Sequence, residues 1–196
     1  MIKTIVLATN NPGKKKEYEE ILAPLGYGVK TPKDLGIKSD PDETGASYRE
    51  NSFLKAKSLA EKVHCPVIAD DSGLEINCLG KFPGLHSSRF ASSYPTYQDA
   101  WNVLFERMDG ESDRSAQFVC CICYLPSPEA EPLFFEGVCP GYILLEAKGS
   151  NGFGYDPIFH SDEADANFGE ASEEIKNRFS HRGKAIAKLV KYLSNK

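Results

Sequence analysis

The sequence predicts an α/β protein built on a mixed sheet, and two observations carry that prediction. Helical patterns alternate with short apolar strands through the amino-terminal half, the order typical of α/β folds. Beyond residue 115, several strand-like runs follow one another with no helix between them, which implies antiparallel neighbours in the same sheet. The most informative junction is Val67-Ile68-Ala69-Asp70-Asp71-Ser72-Gly73. It reads as a buried strand ending at Ala69, with two carboxylates at its edge and a Ser-Gly turn behind them. Open α/β sheets bind ligands at such edges. Adjacent carboxylates repel unless a cation or a proton resolves the conflict, so a divalent metal is the natural partner. A solvated aspartate pair at a loop top is the plain alternative.

In chain order, Thr4 to Ala8 is an apolar run of strand formers. Thr9-Asn10-Asn11-Pro12-Gly13-Lys14 is a turn that leads into a helical pattern with Tyr18, Ile21, Leu22 and Leu25 on one side. A strand, a Gly-containing turn and a helix start aim backbone N–H groups at one spot and favour phosphate. The Walker A pattern is absent, and a plain connection with solvated lysines is the alternative. A strand fits at Tyr27 to Thr31, followed by the acidic turn Asp40-Pro41-Asp42-Glu43-Thr44-Gly45, in which Glu43 is a candidate metal ligand. Its Asp-x-Asp does not follow a buried strand, which separates it from haloacid-dehalogenase-type phosphatases. Ser47 and Glu50 form a capping-box pattern ahead of a helix with Phe53, Ala56, Ala60 and Val63 on one face, ended by Pro66.

After the aspartate pair, Leu74, Ile76 and Cys78 alternate with polar residues as a second strand. Thr96 caps a helix whose Trp101, Leu104, Phe105 and Met108 form a core stripe. Ser115 to Leu125 and Pro132 to Val138 read as a long hairpin, with a further short strand at Tyr142 to Leu145. Gly149 to Pro157 holds three glycines around Phe153 and Tyr155, a loop suited to close backbone approach and to stacking on a base. One aromatic anchoring the core is the structural alternative. The carboxyl end, Ala171 to Lys196, is helical in two pieces, interrupted by Ser180-His181-Arg182-Gly183. There His181 and Arg182 offer donors to carbonyl or phosphate oxygens.

Composition sets the outer bounds. A chain of 196 residues with 41% hydrophobic and 26% charged residues suits one globular domain over 1–196. The net charge of −5 argues against a general nucleic-acid or membrane-surface partner. Met1-Ile2-Lys3-Thr4 opens no signal-peptide core, and the apolar run Phe118 to Leu125 is too short to cross a bilayer, so a cytoplasmic protein is expected. The six cysteines do not form two C-x-x-C motifs of the kind that marks a zinc site, and they read as structural.

Together these segments resemble the inosine triphosphate pyrophosphatases, the Ham1-like non-canonical purine nucleoside triphosphate pyrophosphatases. Thr9 to Lys14 is similar to the family's T-x-N-x-x-K loop. Glu43-Thr44-Gly45 with Glu50-Asn51 is similar to E-T-G…E-N, and Ala69 to Leu74 to A-D-D-S-G-L. Gly152 to Phe159 and Ser180 to Gly183 complete five motifs in order. The middle segment departs, with Pro83-Gly84-Leu85-His86-Ser87-Ser88-Arg89-Phe90 where the family commonly has P-G-x-Y-S-A-R-Y. Asn167-Phe168-Gly169-Glu170-Ala171 loosens the usual T-F-A-E-L.

The resemblance implies an elongated mixed β-sheet flanked by helices, with two lobes around a central substrate cleft, and a homodimer. It implies Mg²⁺-dependent hydrolysis of ITP, dITP and XTP to the monophosphate and pyrophosphate. Asp71 then matches the proton acceptor and, with Glu43, the metal-linked carboxylates. Thr9, Asn10, Asn11, Pro12, Gly13 and Lys14 would hold phosphates, with Ser72 touching substrate. Phe153, Gly154, Tyr155, Asp156, Lys176, His181 and Arg182 match the base- and sugar-binding positions. Donors at His181 and Arg182 suit a 6-oxo purine and leave adenine's amino group unmatched. A nucleotide sensor without turnover and a Maf-type pyrophosphatase are the rival readings.

Overall fold

The computed structural model describes residues 3–39 and 41–195. Asp40 of the acidic turn, Met1, Ile2 and Lys196 lie outside the described residues. One open eight-stranded sheet runs in the order β2-β1-β3-β5-β6-β7-β8, with β4 paired to β3. Its strands are β1 (Lys3–Leu7), β2 (Tyr27–Lys30), β3 (Val67–Ile76), β4 (Phe82–Pro83), β5 (Ser115–Leu125), β6 (Leu133–Ile143), β7 (Phe159–Ser161) and β8 (Ala166–Asn167). The helices are α1 (Pro12–Leu22), α2 (Tyr48–Val63), α3 (Ser87–Ser92), α4 (Tyr97–Arg107), α5 (Glu173–Phe179) and α6 (His181–Ser194). β1 is parallel to β2 and β3, whereas β3–β4, β6–β7 and β7–β8 are antiparallel. The predicted mixed α/β sheet is therefore present.

The chain forms two compact units, one of residues 1–71, 120–136 and 185–196, the other of 72–119 and 137–184. In the first, side chains alternate across the strands and build two separate cores. Ile5, Leu7, Ile68, Cys120, Ile122 and Tyr124 pack with Tyr18 and Leu22 of α1 and with Ala185, Ile186, Leu189 and Leu193 of α6. Val6, Ala8, Val67, Ala69, Cys123 and Leu125 pack on the opposite side with Ala56, Leu59 and Ala60 of α2. A period of two along each strand produces this sorting. In the second unit, Leu74, Ile76, Phe118, Cys139, Ile143, Phe159 and Phe168 form one core with Leu104 and Met108 at the end of α4.

Several local expectations need correction. β3 does not stop at Ala69: one strand runs from Val67 to Ile76 through both aspartates and Ser72-Gly73. The reason is electrostatic, since each carboxylate meets a lysine and so tolerates burial inside a strand. The strands expected at Pro132 to Val138 and Tyr142 to Leu145 are likewise one, β6, with inward residues 137, 139, 141 and 143 all buried. Leu25 leaves the α1 stripe because the helix ends at Leu22 and a 3₁₀ turn follows, leaving Leu25 47% exposed. Ser47 caps α2 through the Glu50 N–H, but the Glu50 carboxylate accepts from Ala46 instead of closing the box. The full capping box is at Thr96 and Asp99 of α4. Between α5 and α6 the break is Ser180 alone, with His181 already helical.

All six cysteines are free thiols, and four are buried. Burial pushes Cys121 up to about 11 and Cys123 up to about 12, so both stay protonated near neutrality. They behave as the small core residues the sequence suggested. No helix among the described residues is long and apolar enough to cross a membrane.

Candidate active site

In the first unit the site grows from the alternation of β3. Asp70 follows the parity of Ile68 and faces α1, and Asp71 follows Ala69 and faces α2. Lys14 Nζ donates to Asp70 Oδ1 at 3.0 Å, and the Cys120 thiol donates to Oδ2 at 3.7 Å. Asp71 Oδ1 accepts from Lys55 Nζ at 2.9 Å, and Oδ2 accepts from Asn51 Nδ2 at 3.2 Å. Lys55 also donates to Glu43 Oε1 at 2.9 Å. Two carboxylates therefore converge on one ammonium, while the neighbouring carboxylate has a separate cation. Asp70 is 1% and Asp71 5% exposed. Neighbouring charges in sequence are thus kept on opposite faces of the sheet, each with its own lysine.

Asn51 and Lys55 stand at i and i+4 on α2, on the face that meets β3. Sequence reasoning gave Lys55 no role, and Asn51 entered only as part of the E-N motif. The signal lay in the helix pattern, where Asn51 and Ser52 stand one turn before Lys55 and Ala56 on the side of the helix packed on the sheet. The acidic turn, by contrast, does bring Glu43 to Asp71 through Lys55.

Burial alone would push the Lys55 ammonium down, but Asp71, Asp70 and Glu43 together outweigh it and raise the group above its ordinary 10.5. A raised value means that the stability contributed by Lys55 is complete below pH 10.5 and is lost as pH rises through the folded value. Lys55→Met is expected to be less stable than the parent at neutral pH, with the gap narrowing above pH 10.5. Urea midpoints measured across that range provide the check, and a gap that stays constant would overturn the assignment.

The amino-terminal loop is ordered by its own side chains. Thr9 Oγ1 accepts from the Asn11 N–H, and Asn11 Oδ1 accepts from the N–H groups of Gly13 and Lys14. Pro12 occupies the first helical turn, where its missing N–H costs nothing. The helix-start amides expected to meet phosphate are therefore already satisfied by Asn11. What the loop presents is the Lys14 ammonium. Asn10 turns away and donates to the Ser39 carbonyl at 3.3 Å.

The second unit gathers the other predicted residues around Phe153. Asp156 Oδ2 accepts from the Phe153 N–H at 2.8 Å and from Lys176 Nζ at 2.6 Å. Lys176 lies 4.5 Å and Arg182 5.6 Å from the Phe153 ring centre. Arg182 Nη2 donates to Ser72 Oγ at 2.9 Å. The His181 ring stacks on Phe118, 4.7 Å apart and inclined 12°. An aromatic face flanked by two cations and backed by a buried carboxylate suits a flat, polar heterocycle. Gly152 and Gly154 carry φ of 71° and 67°, and a Cβ on Gly152 would collide with the Asp156 carboxylate.

Tyr155 departs from the expected role. Its ring is 6% exposed and its hydroxyl donates to the Ser87 carbonyl at 2.6 Å, while burial raises the phenol well above its usual range. Of the two loop aromatics, Tyr155 is buried and anchored to Ser87, and Phe153 is the half-buried one. In the departing middle segment, Ser87 is a buried brace: its hydroxyl donates to the Gly84 carbonyl and accepts from the Leu74 N–H. His86 and Ser88 on either side are exposed.

No group of three or more His, Cys, Asp or Glu side chains poised to hold a metal occurs among the described residues. The donor set nonetheless fits Mg²⁺, which uses one or two carboxylates and completes its shell with phosphate and water. Glu43 and Asp71 already share one cationic partner.

Residues 5–192 match the model of the Ham1 family. The chain is 44% identical to a dITP/XTP pyrophosphatase of Haemophilus influenzae, over 96% of this chain and 98% of that protein. It is 43% identical to a dITP/XTP pyrophosphatase of Halalkalibacterium halodurans, over 98% and 100%. Among solved structures, a HAM1 protein from Coxiella burnetii superposes with a TM-score of 0.89 at 36% identity, covering 99% of this chain and 100% of the other.

Proposed function

The chain belongs to the Ham1 family, and we propose that it hydrolyses dITP, XTP and ITP to the nucleoside monophosphate and pyrophosphate. The observation that carries the hydrolytic part is the convergence of Glu43 and Asp71 on one cation beside a second carboxylate–lysine pair. In this reading water attacks the α-phosphorus, pyrophosphate leaves, and Asp71 accepts the proton from the attacking water. Such chemistry depends on positioning and on neutralising charge. Lys14 would neutralise phosphate oxygens, exchanging part of its bond to Asp70 for them. Lys55 would turn from the carboxylates to the triphosphate when a metal takes its place.

Mg²⁺ is part of the proposal, with Glu43 and Asp71 as its protein ligands. When bound it would supply charge neutralisation on the phosphates and lower the pKa of a nearby water. Thr9, Asn10 and Asn11 would then act by shaping the loop that presents Lys14, and not through the amides of Gly13 and Lys14. The base is assigned to the second cluster. Phe153 stacks, Lys176 and Asp156 set its environment, and His181 and Arg182 donate to the 6-oxo group. Ser72 holds Arg182. A homodimer acting in the cytoplasm completes the reading.

The test is pyrophosphate release with Mg²⁺ from ITP, XTP, ATP and GTP. Rapid release from ITP and XTP with slow release from ATP is the expected pattern; no turnover of either 6-oxo substrate would overturn it. Arg182→Ala should lower the preference for ITP over ATP at least about tenfold, because removing a donor relieves the unpaired-donor penalty that adenine suffers. Unchanged selectivity would remove Arg182 from base reading.

A further inference from the structure

The three residues 153–155 are each held by a different partner. The Phe153 N–H donates to Asp156 within the loop, and the Tyr155 hydroxyl donates to Ser87 at the start of α3. The Gly154 carbonyl accepts from Trp101 Nε1 of α4 at 3.1 Å. Trp101 is the only tryptophan in the chain. Its side chain sits beside Tyr97, 6.5 Å between ring centres, and Tyr97 in turn meets Tyr155 edge-on at 5.8 Å. The bond to Gly154 is the one link in this set between α4 and the backbone on either side of Phe153.

We propose that Trp101 is a positioning residue for the base platform, holding the Phe153 ring in place through the Gly154 carbonyl. The proposal rests on the functional reading above. Gly152 and Gly154 both adopt the left-handed region, where glycine moves freely between alternatives. Phe153 is therefore a ring carried on a segment with a permissive joint on each side. Asp156 fixes its N–H side. On its carbonyl side the next peptide oxygen, that of Gly154, is fixed by the indole. Without that donor the Gly154 peptide can rotate, and the ring loses its orientation relative to Lys176 and Arg182. The core stripe expected of α4 thus has a second use: Leu104 and Met108 are buried, while Trp101 is half-buried and reaches the loop.

Two measurements test this. Trp101→Phe keeps an aromatic ring beside Tyr97 and removes the donor, so KM for XTP should rise about fivefold, the worth of one neutral hydrogen bond, with kcat within about twofold. A stacking platform contributes equally to ground and transition states, which places the effect in KM. A thermal melt close to the parent's shows that the variant is folded. In the parent, Trp101 emission should change saturably with inosine monophosphate and stay constant with inorganic tripolyphosphate, which lacks a base. An unaltered KM in a folded Trp101→Phe chain overturns the proposal, as does emission that ignores inosine monophosphate or responds equally to tripolyphosphate. Failure of the parent to release pyrophosphate would overturn the function itself. The emission titration would then decide the role of Trp101 on its own.

Discussion

Asp71→Asn is expected to reduce kcat for XTP at least about a hundredfold, the lower bound of what a positioned general base contributes. The substitution is nearly isosteric, and an amide oxygen can still accept from Asn51. Lys55 keeps Glu43 as an anionic partner, so the ammonium is not left without a counter-charge. What disappears is the ability to take a proton and the negative charge beside the phosphates. KM should move far less, since Lys14 and the base cluster remain. Pyrophosphate release at saturating substrate is the measurement; a loss of only a few fold would remove Asp71 from proton transfer.

The second large effect is on stability. Lys176 and Asp156 are 5% and 3% exposed and joined at 2.6 Å. Asp156→Ala leaves a buried ammonium without its principal counter-charge and the Phe153 N–H without its acceptor. Breaking one side of such a buried pair costs about 3–5 kcal/mol. Adding Lys176→Met should recover part of the loss, because the uncompensated charge then goes too. Urea unfolding of the two single variants and the double variant measures this directly. If Asp156→Ala cost no more than about 1 kcal/mol, a typical exposed pair, the buried-pair assignment would be wrong.

How much of this was legible beforehand differs by residue. The core stripes of α1, α2 and α4 follow from three- and four-residue spacing, because burial of one helix face is a local pattern. The mixed sheet follows from consecutive strands, which need no knowledge of their partners. The sequence ends β3 too early, at Ala69, because the rule that charges and Ser-Gly end a strand is itself local. Lys14 and Lys55, 56 and 16 residues away in sequence, overrule it by pairing with the carboxylates. Lys55 is hidden in the sequence for the same reason: on α2 it looks like a solvated helix lysine until β3 is placed beneath it. Phe153 and Tyr155 are indistinguishable as loop aromatics in the sequence. Only the Ser87 carbonyl, supplied from far along the chain, marks Tyr155 as the anchored one of the two. Asn11 reads as a turn former, and its occupation of the Gly13 and Lys14 amides emerges only from the cap geometry.

The passage of β3 through both aspartates makes chain length in this strand a matter of odd and even. Asp70 meets Lys14 on one face and Asp71 meets Lys55, Glu43 and Asn51 on the other. A slip of one residue would move each carboxylate to the other face, away from its own lysine, and send each apolar neighbour into the opposite core. Single insertions or deletions between Val67 and Asp71 therefore scramble core and chemistry together. A change of two residues preserves the facing and shifts the carboxylates by one strand repeat along the helices that receive them.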